Sequence, residues 1–201
     1  LCTPFCPRAV DVLDELGVVG FKTGSGEMTN FPMMERIAKT GKPVIISTGM
    51  CSYEEVEETV NFMKEKKAQF MITHCTSIYP PPYETINLSL IPEYKRNFNI
   101  LVGHSDHTPD IWTALGAVAL GAKVIEKHFT LNTAMKGPDF EVSLEPQAFM
   151  QMVEGIKKIS AALGTNKQIH EDEKEVRDWA HHSVVTLVDI PENTVLQLEM
   201  L

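Results

Sequence analysis

Two histidines, His107 and His128, stand in the segments SDHT and EKHF, each just beyond a short apolar run. Neutral imidazole is a common ligand for divalent metals. Two rings from neighbouring elements can share one ion and leave positions for water, a carboxylate and substrate. The same pair could equally be hydrogen-bonded histidines with no metal. Lys22 closes another apolar run, with Ser25 close behind it, and Ser47 and Ser105 follow two more. A lysine ringed by hydroxyls can hold a phosphate or a carboxylate. Lys22 could instead form a Schiff base, and each serine could simply cap a loop. Glu27 and Asp139 are carboxylates suited to sugar hydroxyls or proton transfer. Their bland alternatives are a charge at a helix N-terminus and a turn residue. Asp106 either orients His107 or caps its loop. His74 and His104 are weaker ligand candidates, and His181 and His182 fall in a polar stretch.

These residues need elements that bring them together. Apolar runs at Val18–Phe21, Pro43–Ile46, Phe70–Thr73, Ile100–Val102 and Lys123–Ile125 mostly lack alternation, as strands buried on both faces do. Helical spacing occupies Pro7–Leu16 (Val10, Leu13 and Leu16 on one face), Phe31–Lys39, Ser52–Lys67 and Pro109–Leu120. Ser52 and Glu55 form a capping box. Gly17, Gly41 and Gly121 sit where a left-handed C-cap favours glycine. The alternation implies a parallel sheet in an α/β fold, and its repeat of roughly 23 to 30 residues fits a (β/α)8 barrel or a doubly wound sheet. Gly24-Ser25-Gly26 lacks the third glycine of a dinucleotide fingerprint, which favours the barrel. In a barrel, strand C-terminal ends share one mouth, and here every end carries polar groups. With a stub at Leu1–Thr3, two further strands are expected ahead of Leu1. A helix follows Pro146 and ends near Leu163. Thr165–Arg177 reads as a linker, and Ser183–Ile190 as a strand opening a second domain.

Composition sets outer bounds. The 201 residues carry a net charge of −9 without basic blocks, which argues against nucleic acid or a membrane surface as partner. Cys2, Cys6, Cys51 and Cys75 form no CxxC pair and read as reduced core or loop residues, in keeping with a cytoplasmic setting. There is no apolar run long enough to span a membrane and no signal-peptide pattern. The opening Leu1 reads as the interior of a longer protein.

The stretches FKTGSGEMTNFPMMERIAKTGKPVIISTGM, HCTSIYPPPYETINL, VGHSDHTPDIWTALGAVALGAKVIEKHFTL and KGPDFEVSLEP strongly resemble the sialic acid synthase family. That family includes N-acetylneuraminate, legionaminate and pseudaminate synthases and a spore-coat polysaccharide relative. The resemblance implies a partial TIM barrel over residues 1–164, a linker over 165–182 and the start of an antifreeze-like (SAF) domain over 183–201. It implies condensation of phosphoenolpyruvate with N-acetylmannosamine or a related N-acylated amino sugar, giving a nine-carbon 2-keto acid and phosphate. By the same resemblance His107 and His128 match ligands of manganese or magnesium. Thr3, Lys22, Ser25, Ser47 and Ser105 match residues that hold phosphoenolpyruvate, and Ser77 stands where an asparagine can do so. Glu27, Tyr79 and Asp139 match positions that contact the amino sugar. The family is a homodimer whose SAF domains reach over the partner's site. Phe140 in GPDF departs from a commoner histidine, and TLN from TLD. Rival readings are a Schiff-base aldolase using Lys22, a non-catalytic sugar-binding barrel, and a legionaminate or pseudaminate synthase within the family.

Overall fold

The computed structural model describes residues 1–201, which divide into two compact units, Leu1–Leu163 and Gly164–Leu201. The first unit is an all-parallel α/β half-barrel. Its strands are β1 (Phe21–Thr23), β2 (Val44–Ser47), β3 (Phe70–Cys75), β4 (Val102–Asp106) and β5 (Ile125–Lys127), paired in that spatial order. Isolated parallel bridges extend the series at each edge, Cys2 to Phe21 and Phe129 to Leu144. Sequential neighbours with helical crossovers follow from parallel pairing, since a parallel return needs a long connection.

The helices are α1 (Pro7–Glu15), α2 (Phe31–Lys39), α3 (Tyr53–Glu65), α4 (Leu90–Phe98), α5 (Trp112–Ala119) and α6 (Pro146–Ala162). Each turns an apolar stripe toward the sheet. α3 buries Val56, Val60 and Met63, and α2 buries Met33, Met34 and Ile37, against Phe21, Ile46 and Ile72 of the strands. Each such side chain contributes about 1.5–3 kcal/mol by leaving water. α3 starts as expected: Ser52 Oγ accepts from the Glu55 amide (3.3 Å) and Glu55 Oε2 accepts from the Ser52 amide (2.7 Å). Gly17, Gly41 and Gly121 all have positive φ at helix ends. α1 is shorter than its apolar pattern: Leu16 falls beyond it and is exposed, leaving Val10 as its one fully buried residue.

Three expectations about strands need correction, the first being β1, which is Phe21–Thr23 rather than Val18–Phe21. Apolar runs mark where strands enter the sheet, whereas the ladders run on into the polar tips. β4 is Val102–Asp106 rather than Ile100–Val102, and β5 is Ile125–Lys127 rather than Lys123–Ile125. Gly103 permits this close sheet, since a Cβ there would lie 2.6 Å from the Val124 carbonyl oxygen. The sequence reading places no element at α4, which carries Pro92 as its third residue. Proline is tolerated in a first turn, and Ile91, Tyr94 and Phe98 form the buried stripe.

The second unit holds α7 (Lys174–Ala180) and short 3-10 turns at Glu171–Glu173 and Leu198–Met200. Residues 183–190, expected as a strand, have no strand structure here. Nearly every side chain in this unit is exposed. No helix in the chain is long and apolar enough to cross a membrane.

Candidate active site

The C-terminal tips of the strands surround a cavity of about 310 Å³ lined by Thr3, Lys22, Gly24, Ser25, Ser47, Cys75, Tyr79, Ser105, Asp106, His107, Glu126, Lys127 and His128. Register explains the convergence. Cys75 is the ladder partner of Ser105, Ser105 of Glu126, and Asp106 of Lys127. Parallel strands in step bring equivalent positions to one level, so groups far apart in sequence meet at the mouth.

One wall is a hydroxyl and thiol cluster. Ser25 Oγ donates to Ser47 Oγ at 3.0 Å, and Ser77 Oγ donates to Ser25 Oγ at 3.4 Å. Cys75 Sγ lies 3.7 Å from both Ser25 Oγ and Ser77 Oγ. Gly49 makes room for the cluster, because a Cβ at this position would stand 2.2 Å from Ser77 Oγ and 2.6 Å from Ser25 Oγ. Lys22 Nζ donates to the Thr23 carbonyl (2.9 Å) and lies 3.3 Å from Glu126 Oε2, which is buried without an aligned hydrogen bond. The ammonium and the hydroxyls therefore face one space, with donors to spare for an anion.

The imidazoles line the same cavity beside this cluster, with Cys75 Sγ 3.9 Å from His107 Nδ1. His107 and His128 have ring centroids 5.2 Å apart. With Nδ1–H of His107 donating to the Thr76 carbonyl (2.9 Å), its Nε2 lone pair faces the Tyr79 hydroxyl (3.0 Å). The Tyr79 ring stacks at a tilt, 4.2 Å from His107 between centroids, and meets His128 edge-on at 5.8 Å. Burial and the neighbouring His107 depress the pKa of His128. For His107, burial opposes protonation, but contact with Cys75 and the Thr76 carbonyl outweighs it and the pKa rises. Burial likewise opposes ionisation of Cys75, yet its contacts with His107 and the serines bring the thiol down to about 6.

The donor set fits a divalent ion. Both imidazoles line one cavity with ring centroids 5.2 Å apart, and they are the residues that would hold such an ion. No third His, Cys, Asp or Glu completes a ligand group with them. The remaining positions would be filled by water or substrate oxygens, as suits magnesium or manganese.

Several sequence-derived candidates fall elsewhere. Glu27 is not among the cavity-lining residues; its Oε2 accepts from Asn30 Nδ2 (2.7 Å) beside the start of α2. Asp139 is exposed, with Oδ2 4.0 Å from His128 Nδ1. His74 and His104 lie beneath the mouth, buried and stacked 5.8 Å apart. His104 Nδ1 donates to the His74 carbonyl at 3.0 Å, and His74 Nε2 donates to the Ile86 carbonyl at 2.5 Å. Asp106 does cap its loop, accepting from the Thr108 amide and hydroxyl at 2.9 Å each.

Cys75, Lys127 and Gly49 were not singled out from sequence. The strand-tip rule picks out Glu126 and could have found its neighbour Lys127 in β5. A lone cysteine and the glycine of STGM carry no comparable signal.

A family model described as the NeuB family matches residues 1–168. The chain belongs to the NeuB family. It is 42% identical over 199 residues to an N,N'-diacetyllegionaminic acid synthase of Campylobacter jejuni, covering 97% of this chain and 60% of that protein. It is 41% identical over 195 residues to the N-acetylneuraminate-9-phosphate synthase of Homo sapiens, covering 96% of this chain and 54% of that protein. Among solved structures, an N-acetylneuraminic acid (sialic acid) synthetase from Leptospira borgpetersenii, in complex with citrate, superposes with a TM-score of 0.81 at 36% identity. That match covers 88% of this chain and 62% of the other. This NeuB chain thus spans little more than half the length of the relatives it matches.

Proposed function

We propose that this chain is the barrel portion of a synthase joining phosphoenolpyruvate to an N-acylated amino sugar such as N-acetylmannosamine. The observation that carries the reading is that a single cavity is lined both by an ammonium–hydroxyl cluster and by a pair of imidazoles. In the reaction the vinyl C3 of phosphoenolpyruvate attacks the aldehyde carbon of the open-chain sugar. Water adds at C2, and phosphate leaves by C–O cleavage to give a nine-carbon 2-keto acid.

Lys22, Ser25, Ser47 and Ser105, with Thr3 and Ser77 at the margin, bind the phosphoenolpyruvate anion. Fixing it turns a bimolecular encounter into an oriented one. His107 and His128 would hold Mn2+ or Mg2+, whose chemistry is Lewis-acid stabilisation of the charge that develops on the aldehyde oxygen. The Tyr79 hydroxyl sits at the His107 nitrogen, where it can donate to the same sugar oxygen. Glu27 and Asp139, neither of which lines the cavity, are the carboxylates given the role of orienting sugar hydroxyls. The homodimer and the SAF domain from about residue 183 are carried by sequence resemblance, and the cytoplasmic setting by the cysteine pattern.

The test is an assay of the full-length protein with phosphoenolpyruvate and either N-acetylmannosamine or a diacetamido-trideoxyhexose, scored by phosphate release and 2-keto acid. His107→Ala is expected to lower turnover by about 100-fold or more, the scale of a lost Lewis acid. Undiminished turnover and Mn2+ affinity in that variant would refute the ligand assignment. Borohydride added during turnover is expected to leave Lys22 unmodified, whereas trapped substrate would favour the Schiff-base aldolase.

A further inference from the structure

Asp106 and Lys127 are direct ladder partners at the last paired level of β4 and β5, and each stands one residue before an imidazole of the site. Lys127 Nζ donates to Asp106 Oδ2 at 2.9 Å, and the two side chains are 0% and 1% exposed. The same ammonium donates to the Thr108 carbonyl and lies 3.3 Å from the Thr108 hydroxyl, so its protons are all engaged. Asp106 Oδ1 takes the Thr108 amide and hydroxyl, and that hydroxyl meets Thr113 Oγ1 at 2.9 Å, tying the group to the first turn of α5. His104 Nε2, 3.7 Å from Asp106 Oδ1, is too far for a hydrogen bond and is left buried without a partner.

Stability alone does not account for such a pair. Removing two charges from water costs about as much as their attraction returns, and apolar replacements of similar volume are often neutral or better. What the pair does supply is a fixed distance across the sheet at the end of a short strand. β5 has only three residues, and beyond Lys127 its ladder gives way to the isolated bridge from Phe129 to Leu144. The neutral sum of the pair also matters. A lone Lys127 ammonium would repel a divalent ion nearby, and a lone Asp106 carboxylate would attract one away from the imidazoles.

We propose that the buried Asp106–Lys127 ion pair is the positioning device of the site: it bolts the tips of β4 and β5 together so that His107 and His128 can grip one divalent cation. This rests on the reading that those two imidazoles share an ion, and it adds two residues whose part is to position the imidazoles.

The experiment measures Mn2+ binding to the full-length protein by electron paramagnetic resonance titration, alongside the melting temperature without metal. The variants are Asp106→Asn with Lys127→Met combined, Thr108→Val, and His107→Ala. The double variant is expected to weaken Mn2+ binding by about 10–100-fold, the usual cost of losing a group that orients a ligand, while its metal-free melting temperature stays near that of the parent. A folded double variant with parental Mn2+ affinity would overturn the proposal. Should the double variant not fold, Thr108→Val decides. It keeps both charges and removes only the bridging hydroxyl, so a several-fold loss of affinity supports the proposal and no loss overturns it. His107→Ala separates the two levels. If it binds Mn2+ as the parent does, the shared-ion reading fails and the positioning proposal falls with it. If it alone loses the ion, the positioning proposal fails and the ligand assignment stands.

Discussion

His74 packs its ring on His104, donates to the Ile86 carbonyl and leaves Nδ1 without a partner in the core. Burial, reinforced by His104, pushes its pKa down to about 4. A histidine in the unfolded chain titrates near 6.5, so between those values the unfolded state binds more protons. The contribution of neutral His74 is therefore complete above about pH 6.5 and is lost as the pH falls toward 4, a difference of about 3 kcal/mol. Urea unfolding from pH 7.5 to 4.5 should show this slope in the parent and a shallower one in His74→Gln. Equal slopes would mean that other groups carry the acid sensitivity. Legibility at this scale was uneven. His107, His128, Lys22, Ser25, Ser47 and Ser105 were readable because tips of parallel strands collect reactive groups, and all six line the cavity. Lys127 escaped notice because a charged residue beside an apolar run reads as a solvated end, whereas its carboxylate partner lies 21 positions earlier in the chain. Gly49 escaped because its importance lies in an atom it does not have.

At the scale of elements, local rules worked where the decisive contacts are local. The Ser52–Glu55 box and the three left-handed glycines are set within one turn of chain, and each stands as read. Ser52→Ala should destabilise the protein by about 1 kcal/mol, the ordinary worth of an N-cap side chain. Thermal unfolding would register this, and a change below a few tenths would mean that packing of Val56, Val60 and Met63 alone holds the α3 terminus. Rules based on hydrophobicity misplaced the strand ends. β4 continues through Gly103, His104, Ser105 and Asp106, all buried although three are polar, because the sheet ladder satisfies their backbones and neighbouring tips satisfy their side chains. α4 is the converse case, an element that carries Pro92 as its third residue and is closed by Asn99 at φ 50° where a glycine would have announced the end.

At the scale of the whole chain, the division after Leu163 has a measurable counterpart. Lys167, Lys174 and Arg177 are exposed in a segment with few buried side chains, whereas β1–β5 bury most of theirs. Limited trypsin digestion followed by mass spectrometry should find its first cuts at those three positions, before any within 21–127. Early cleavage inside the sheet would contradict the difference in packing. The half-barrel itself was legible from its repeat length, which topology enforces, whereas the strand expected at 183–190 rested on composition alone. One consequence of the registered tips reaches beyond this molecule. The hydroxyl cluster and the two imidazoles are anchored at or just past the last paired residues of the sheet, while residues 131–139 are exposed outside that framework. Rim segments of this sort can be lengthened or recomposed by mutation without disturbing the strand tips, so a lineage built on this plan is free to vary its rim while keeping the cluster beneath it.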